Sequence, residues 1–365
     1  MRYLDANASE PLRPEARAAA VAAMDVVGNP SSVHAAGRAA RRMLEESREM
    51  LAARFGARPE NLVFTSGGTE ADALAIHVLG SGRRIIVCAT EHDAVRSAAP
   101  GAAVLPVDSN GVADMEALGG LLVGQPPALV CLMLANNETG TIQPVAAASA
   151  LCRRHGALLH VDAVQAAGRM DVGFSAVGAH SMAISSHKLG GPIGAGALLM
   201  APEVTWIAPL IAGGGQERGR RGGTPALPAI AGFAAAASAE GKTAHLVVLR
   251  DAIEAAALAE GAVICGGGAP RLVNTTCIAL PGVRADAQVI ALDLAGIAIS
   301  AGAACSSGKV TASHVLAAMG LGALAGQAIR VSLPWNAAQD DVSAFADAYR
   351  CMAARLREAL VSRAA

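Results

Sequence analysis

From about residue 60 to 210 the chain alternates short apolar runs with longer stretches whose apolar residues recur every three or four positions. The runs at 62–64, 84–88, 103–107, 128–134, 157–161, 181–185 and 196–200 read as strands, and 70–79 and 146–155 as amphipathic helices. Such alternation predicts an α/β fold with a mostly parallel sheet covered on both faces. Ligands of these sheets sit beyond the carboxyl ends of the strands, so the polar residues that follow each strand are where chemistry belongs. A glycine- and arginine-rich loop, AGGGQERGRRGGTP, fills 212–225. Residues 226–260 then read as helical. Strands at 262–265, 275–280 and 327–332 alternate with helices at 287–294 and 342–361, which suggests a second, smaller α+β lobe.

Composition narrows the class. A chain of 365 residues, 53% hydrophobic, buries an ample core without disulfide or metal staples. A net charge of -1 argues against a nucleic-acid or anionic-membrane surface, and 2% aromatic content leaves no base-stacking platform. The mean hydropathy of +0.41 owes much to alanine, and no run reaches the ~20 apolar residues of a membrane helix. The opening MRYLDANASEPLRP lacks the apolar core of a secretion signal. Seven cysteines, scattered and never in a C-x-x-C arrangement, fit a reducing cytoplasm and give no zinc-ligand spacing.

Several segments pair a strand end with reactive side chains. In TSGGTEADALAI (65–76) small residues lead into a helix near Thr69 or Glu70. Backbone amides there can cradle a phosphate, with Gly67 and Gly68 allowing close approach; a plain turn capped by Thr69 is the alternative. In HVDAVQAAG (160–168), Asp162 follows an apolar strand and Gln165 lies three residues on. A buried Asp162 could face a protonated pyridine nitrogen, or it could cap a helix. Lys188 in SSHKLGGPIGAG, with Ser185 and His187 beside it, could form a Schiff base with an aldehyde or stay a loop lysine. His92 in TEHDAV could stack on a ring and move protons, and Asn137 in ANNETGTIQPV could face the same pocket. The alternatives are a loop histidine bonded to backbone for His92 and a turn for Asn137. Cys305, alone among the cysteines, lies among small turn-forming residues (GAACSSGK), where a thiolate could be exposed and reactive. Arg330, inside the apolar strand AIRVSL, needs an anion: a substrate carboxylate or a structural Asp or Glu.

Together these segments resemble the cysteine desulfurases, the NifS/IscS branch of the class V aminotransferases and pyridoxal-phosphate enzymes of fold type I. YLDANAS at 3–9, GNPSSVHAAGRAAR at 28–41 and GGGQERGRRGGTPALP at 213–228 extend the resemblance over nearly the whole chain. It implies a large domain (13–248) with a mostly parallel seven-stranded sheet, and a small domain (1–12 and 249–365) carrying the Cys305 loop. It implies Lys188 on the cofactor aldehyde, Asp162 on the ring nitrogen, Gln165 on the ring oxygen, His92 over the ring face and Asn137 beside it. Gly68, Thr69, Ser185 and His187 would hold the phosphate, with Thr224 of the partner subunit of a homodimer. Asn29 and Arg330 would hold the carboxylate of L-cysteine. The implied reaction yields alanine and a persulfide on Cys305, which passes sulfur to an acceptor such as an iron–sulfur scaffold or a thiolation partner. A related lyase or aminotransferase for which Cys305 is dispensable, and a catalytically weak sulfur-relay partner, are the alternatives. The chain departs from the family pattern at Ser9 and Glu10 in place of a threonine pair, at Ala303, after Cys305, and at Pro334–Trp335.

Overall fold

A computed structural model describes residues 1–204, 207–239, 243–302 and 312–364, with backbone alone for 359–364. Cys305 and Ala303 lie outside the described residues. The chain opens with β1 (Arg2–Tyr3), α1 (Pro14–Met24) and α2 (Ala35–Arg54). Strand and helix then alternate through β2 (Leu62–Thr65), α3 (Gly68–Leu79), β3 (Arg84–Cys88), α4 (Asp93–Ala98), β4 (Ala103–Leu105) and α5 (Met115–Leu122). The series goes on with β5 (Ala128–Cys131), α6 (Val145–Arg154), β6 (Leu158–Asp162), α7 (Phe174–Val177), β7 (Ser181–Ser185) and β8 (Gly196–Met200). After α8 (Leu227–Ser238) and α9 (His245–Ala259) come β9 (Val263–Cys265), β10 (Thr275–Ala279), α10 (Ala285–Leu294), β11 (Ile297–Ala298) and β12 (Ser300–Ala301). The last elements are α11 (His314–Ala318), β13 (Ala328–Ser332) and α12 (Gln339–Ala364).

Seven strands form one sheet in the order β2-β8-β7-β6-β5-β3-β4. Only the pairings made by β8 are antiparallel; the rest run parallel, as expected for this fold type. The strands are apolar at successive positions because both faces are covered. Ala128 and Val130 of β5 join one core with Phe64, Leu159, Val161 and Met182. Leu129 and Cys131 point the other way, onto Leu74, Ala75 and Leu79 of α3. Each such leucine or valine stabilises the fold by about 1.5–3 kcal/mol.

A second sheet, β12-β13-β10-β9, is wholly antiparallel. Ile278, Ile329 and Val331 pack there against Leu249, Ile253, Leu292, Phe345 and Tyr349 of its helices. Leu4 belongs to this core, and β1 runs parallel beside β11. The same N-terminal segment then crosses to the large sheet, where Glu10 N donates to His187 O at 2.9 Å.

Some boundaries differ from the sequence expectation. The strand expected over 103–107 ends at Leu105, because Pro106 has no N–H for a ladder. That expected over 128–134 ends as regular strand at Cys131, although Leu132 N and Leu134 N still donate to His160 O and Asp162 O. The helical stretch 226–260 is two helices, α8 and α9. No helix among the described residues is long and apolar enough to cross a membrane.

Candidate active site

The parallel strands deliver their C-terminal residues to one end of the sheet. Asp162 closes β6 and is 7% exposed; its Oδ1 accepts from Val164 N at 2.8 Å. No regular helix follows until Phe174, so Asp162 braces a turn and does not cap a helix. Gln165 in that turn donates from Nε2 to Asn7 O at 3.1 Å. At the end of β7 a 3₁₀ turn, Ser186–Lys188, carries Lys188, whose Nζ donates to the same Asn7 O and to Ala8 O at 3.0 Å. Asn7 Nδ2 in turn donates to Asn137 O at 3.0 Å, and Arg330 Nη1 donates there at 3.2 Å. Beyond β3, His92 caps α4 by accepting from Ala94 N on Nδ1 at 3.1 Å, which leaves the proton of a neutral ring on Nε2. Gly68, Ser185 and the Asp162 turn also touch: a Cβ on Gly68 would stand 2.7 Å from Val164 Cγ2 and 3.5 Å from Ser185 Cβ.

Carboxylates crowd beneath this group. Burial raises the Asp162 pKa, against which act the Val164 N–H and the positive charges of His92 and Lys188. Glu91, fully enclosed, accepts from Met133 N at 2.5 Å and is pushed up to about 8 by burial and by the Asp162 charge. Asp72 is raised well above its usual range by burial and by Asp162 and Glu91; it faces His160 Nε2 at 3.1 Å. Burial lowers His160 to about 3, so the ring is neutral, with Nδ1 on Ser181 Oγ at 2.8 Å. Three carboxylates cannot all ionise in so little water, and Asp162, nearest the cations, is the one placed to carry the charge. His187 is depressed to about 4 by burial and by Lys188 and Arg169, and its Nδ1 lies 3.3 Å from Ser9 Oγ.

The remaining sequence candidates are placed less centrally. Arg330 pairs through Nη2 with Asp5 at 2.7 Å; its Nε has no partner among the described residues. A structural carboxylate therefore meets Arg330, as one of the two sequence readings allowed. Thr69, expected near the cap of α3, is exposed and lies inside the helix; Gly67 holds the cap position, where φ of 164° is extended backbone. Asn29 sits exposed between α1 and α2, where its Oδ1 accepts from Ser31 N at 2.9 Å. Thr224 lines a cavity with Phe64, Ser66 and Gly194. Five other cysteines are buried and Cys351 is exposed on α12. Sequence reasoning missed Asn7, the carbonyl on which Lys188 and Gln165 converge, because the contact spans more than 150 residues of chain. It also missed Asp72, Glu91 and His160. Asp72 and His160 each stand as a polar residue within an apolar run, itself a signal of a buried partner, whereas Glu91 lies in the polar segment TEHD and carries none.

The donor set fits a pyridoxal phosphate. Ser185 Oγ is buried without a partner among the described residues, as a hydroxyl awaiting an acceptor would be. The first amides of α3 have no side-chain cap, and the space beside Gly67 is open, so an anion can approach them. A buried carboxylate and a primary amine supply the other two functions that the cofactor demands.

The family profile described as "Aminotransferase class-V" matches residues 2–345. An "IscS-like cysteine desulfurase" of Mycobacterium tuberculosis is 39% identical over 390 aligned positions, covering 100% of this chain and 99% of the relative. Among solved structures, a NifS-like protein from Rickettsia africae superposes with a TM-score of 0.90 at 33% identity, over 96% of this chain and 99% of that one. A protein described as "SspA in complex with cysteine" superposes with a TM-score of 0.80 at 28% identity, over 92% and 99%. A match of this extent, on a fold with Lys188, Asp162 and His92 at the strand ends, means that the chain belongs to the class-V aminotransferase family, in its NifS-like cysteine desulfurase branch.

Proposed function

We propose that the protein is a pyridoxal-phosphate-dependent cysteine desulfurase that takes sulfur from L-cysteine onto Cys305 and releases L-alanine. The observation that carries this reading is the meeting of Lys188 and Gln165 on Asn7 O, with Asp162 one turn away and Arg330 on the adjoining Asn137 O. A neighbouring fold solved with cysteine supports the substrate.

The bound cofactor supplies an electron sink for the charge left when the substrate Cα–H bond breaks. Every other duty falls to side chains. Asp162 would keep the ring nitrogen protonated; burial opposes its charge, and the Val164 N–H and the positive charges of His92 and Lys188 favour it. Gln165 would serve the ring oxygen, Asn137 would lie beside the ring, and Gly68, Thr69, Ser185 and His187 would grip the phosphate. Lys188 Nζ would hold the cofactor through its aldehyde carbon and, as an amine, would carry the substrate Cα proton. His92, with its proton on Nε2, would cover the ring and assist reprotonation. Arg330 and Asn29 hold the substrate carboxylate, Arg330 exchanging its Asp5 contact for it in part. The Cys305 thiolate attacks the substrate sulfur: an S–S bond forms, the C–S bond breaks with its electron pair staying on carbon, and a proton there completes alanine.

We assign the cofactor half to 13–248 and the remaining residues, 1–12 and 249–365, to a small domain. The place of Leu4 in the second core supports this. Val27, Val33 and Ile193, 82%, 88% and 78% exposed, favour a homodimer that covers them and brings Thr224 of the partner subunit to the phosphate. A cytoplasmic acceptor protein, of iron–sulfur assembly or thiolation, would take the persulfide.

The purified protein is expected to bind pyridoxal phosphate with a visible absorption band and to form equal amounts of alanine and sulfide from L-cysteine under a thiol reductant. Cys305→Ala should keep the band and form no sulfide. Equal sulfide from both proteins would overturn the persulfide step.

A further inference from the structure

Gln165 is an amide, and its two ends differ only in which offers a donor. Arg169, 5% exposed, settles which end is which: its Nη1 donates to Gln165 Oε1 and to Gln165 O, the latter at 3.1 Å. A guanidinium accepts nothing, so the end facing it must be the carbonyl oxygen. The other end, Nε2, spends one hydrogen on Asn7 O at 3.1 Å and has a second left to offer.

Arg169 is itself fixed. Its Nη2 donates to Ala6 O and to Glu10 Oε2, both at 3.1 Å, and Glu10 is 8% exposed. The other oxygen of Glu10 accepts from Trp335 N at 2.7 Å, and the Trp335 indole N–H donates to Pro11 O at 3.0 Å. The Arg13 guanidinium lies 4.9 Å over the Trp335 ring. Two of the departures from the family pattern, Glu10 and Trp335, thus meet in one buried network that ends on Gln165.

We propose that Arg169, held by Glu10, is a positioning residue that fixes the Gln165 amide with its nitrogen offered to the cofactor ring oxygen. The inference rests on the reading of Gln165 as the ring-oxygen donor. A guanidinium on the amide oxygen also polarises the amide and strengthens its remaining N–H as a donor. Such a donor favours the deprotonated ring oxygen, so the proton shared by that oxygen and Lys188 Nζ is held less tightly. Loss of the donor raises the pH at which that proton leaves.

The test is a pH titration of the visible band of the cofactor-loaded protein, without substrate. Gln165→Met should raise the midpoint by about one unit. Arg169→Met should raise it by a comparable amount, and the double variant should shift no further than Gln165→Met alone. Glu10→Gln, which keeps Arg169 but loosens it, should give a smaller shift in the same direction. Should Arg169→Met not fold, Arg169→Lys runs the same cycle. An amine has no fork with which to hold both Gln165 oxygens and Glu10, so a partial shift is expected that vanishes in the Gln165→Met background. An Arg169 variant with the parental midpoint, or with a shift undiminished when Gln165 is absent, overturns the proposal. A Gln165→Met midpoint equal to the parent's overturns it through its premise. A parent that takes up no cofactor marks the failure of the proposed function instead.

Discussion

Burial and the neighbouring Asp162 push Glu91 up to about 8, so its carboxyl is neutral in the folded protein near pH 7 while an unfolded chain would ionise it. The folded state therefore holds the extra proton between about pH 4.5 and pH 8, and stability must fall as pH rises through that window, by up to ~1.4 kcal/mol per unit. Glu91→Gln removes the titration. Urea unfolding at pH 5, 6.5 and 8 should show a flatter slope for the variant, its gain over the parent growing with pH; parallel slopes would refute the assignment. Single residues were legible in the sequence where strand and chemistry adjoin: Asp162 and Ser185 close strands, and Lys188 and His92 follow within a turn. Asn7 and Arg169 were not, since each acquires its meaning from a partner more than 150 positions away or from a buried pair that no spacing encodes.

At the scale of elements, the apolar runs located all seven strands of the large sheet, because a strand buried on both faces has no polar alternation to blur it. The end residues were harder, since a proline or a neighbouring ladder decides them. The start of α3 is such an end, and it bears on the proposed phosphate grip. Alanine at position 68 would gain helix propensity, yet its Cβ would meet Val164 Cγ2 at 2.7 Å and crowd the turn that carries Asp162. Gly68→Ala is expected to weaken cofactor binding about tenfold or more, measured by titrating the visible band. The glycine-arginine loop depends on another long contact. Glu217 and Arg218 have φ of 49° and 60°, a costly region for side chains, and Glu217 is held by Arg48 Nη1 and Nη2 at 2.8 and 2.7 Å and by Phe64 N at 2.9 Å. Arg48→Met leaves that carboxylate buried and without its cation. A loss of about 3–5 kcal/mol in urea unfolding is expected, against little change for the exposed Arg96→Met.

A single chain lacks, on the proposed assignment, one hydroxyl of its own phosphate site. Within the chain, Thr224 shares a cavity with Ser66 and Gly194, while Val27, Val33 and Ile193 stand in solvent. A two-fold partner seated on those side chains would give each phosphate a hydroxyl from the other subunit, and that arrangement has a signature no single-chain site can produce. On that arrangement Lys188→Ala would remove the amine from its own site, and Thr224→Val the hydroxyl from its partner's. In a hybrid of the two variants, one site carries both lesions and the other carries neither. Co-refolded mixtures should therefore recover about a quarter of parental alanine formation at a cofactor level that fills intact sites and leaves lesioned ones empty, since half of randomly assorted dimers are hybrids with one intact site. If Thr224 served its own chain, every site in the hybrid would carry one lesion and the mixture would regain nothing. Pairing the same variants after Val33→Asp and Ile193→Asp, which set charges against charges across the two-fold, should abolish the recovery and lower the mass measured by sedimentation to that of one chain.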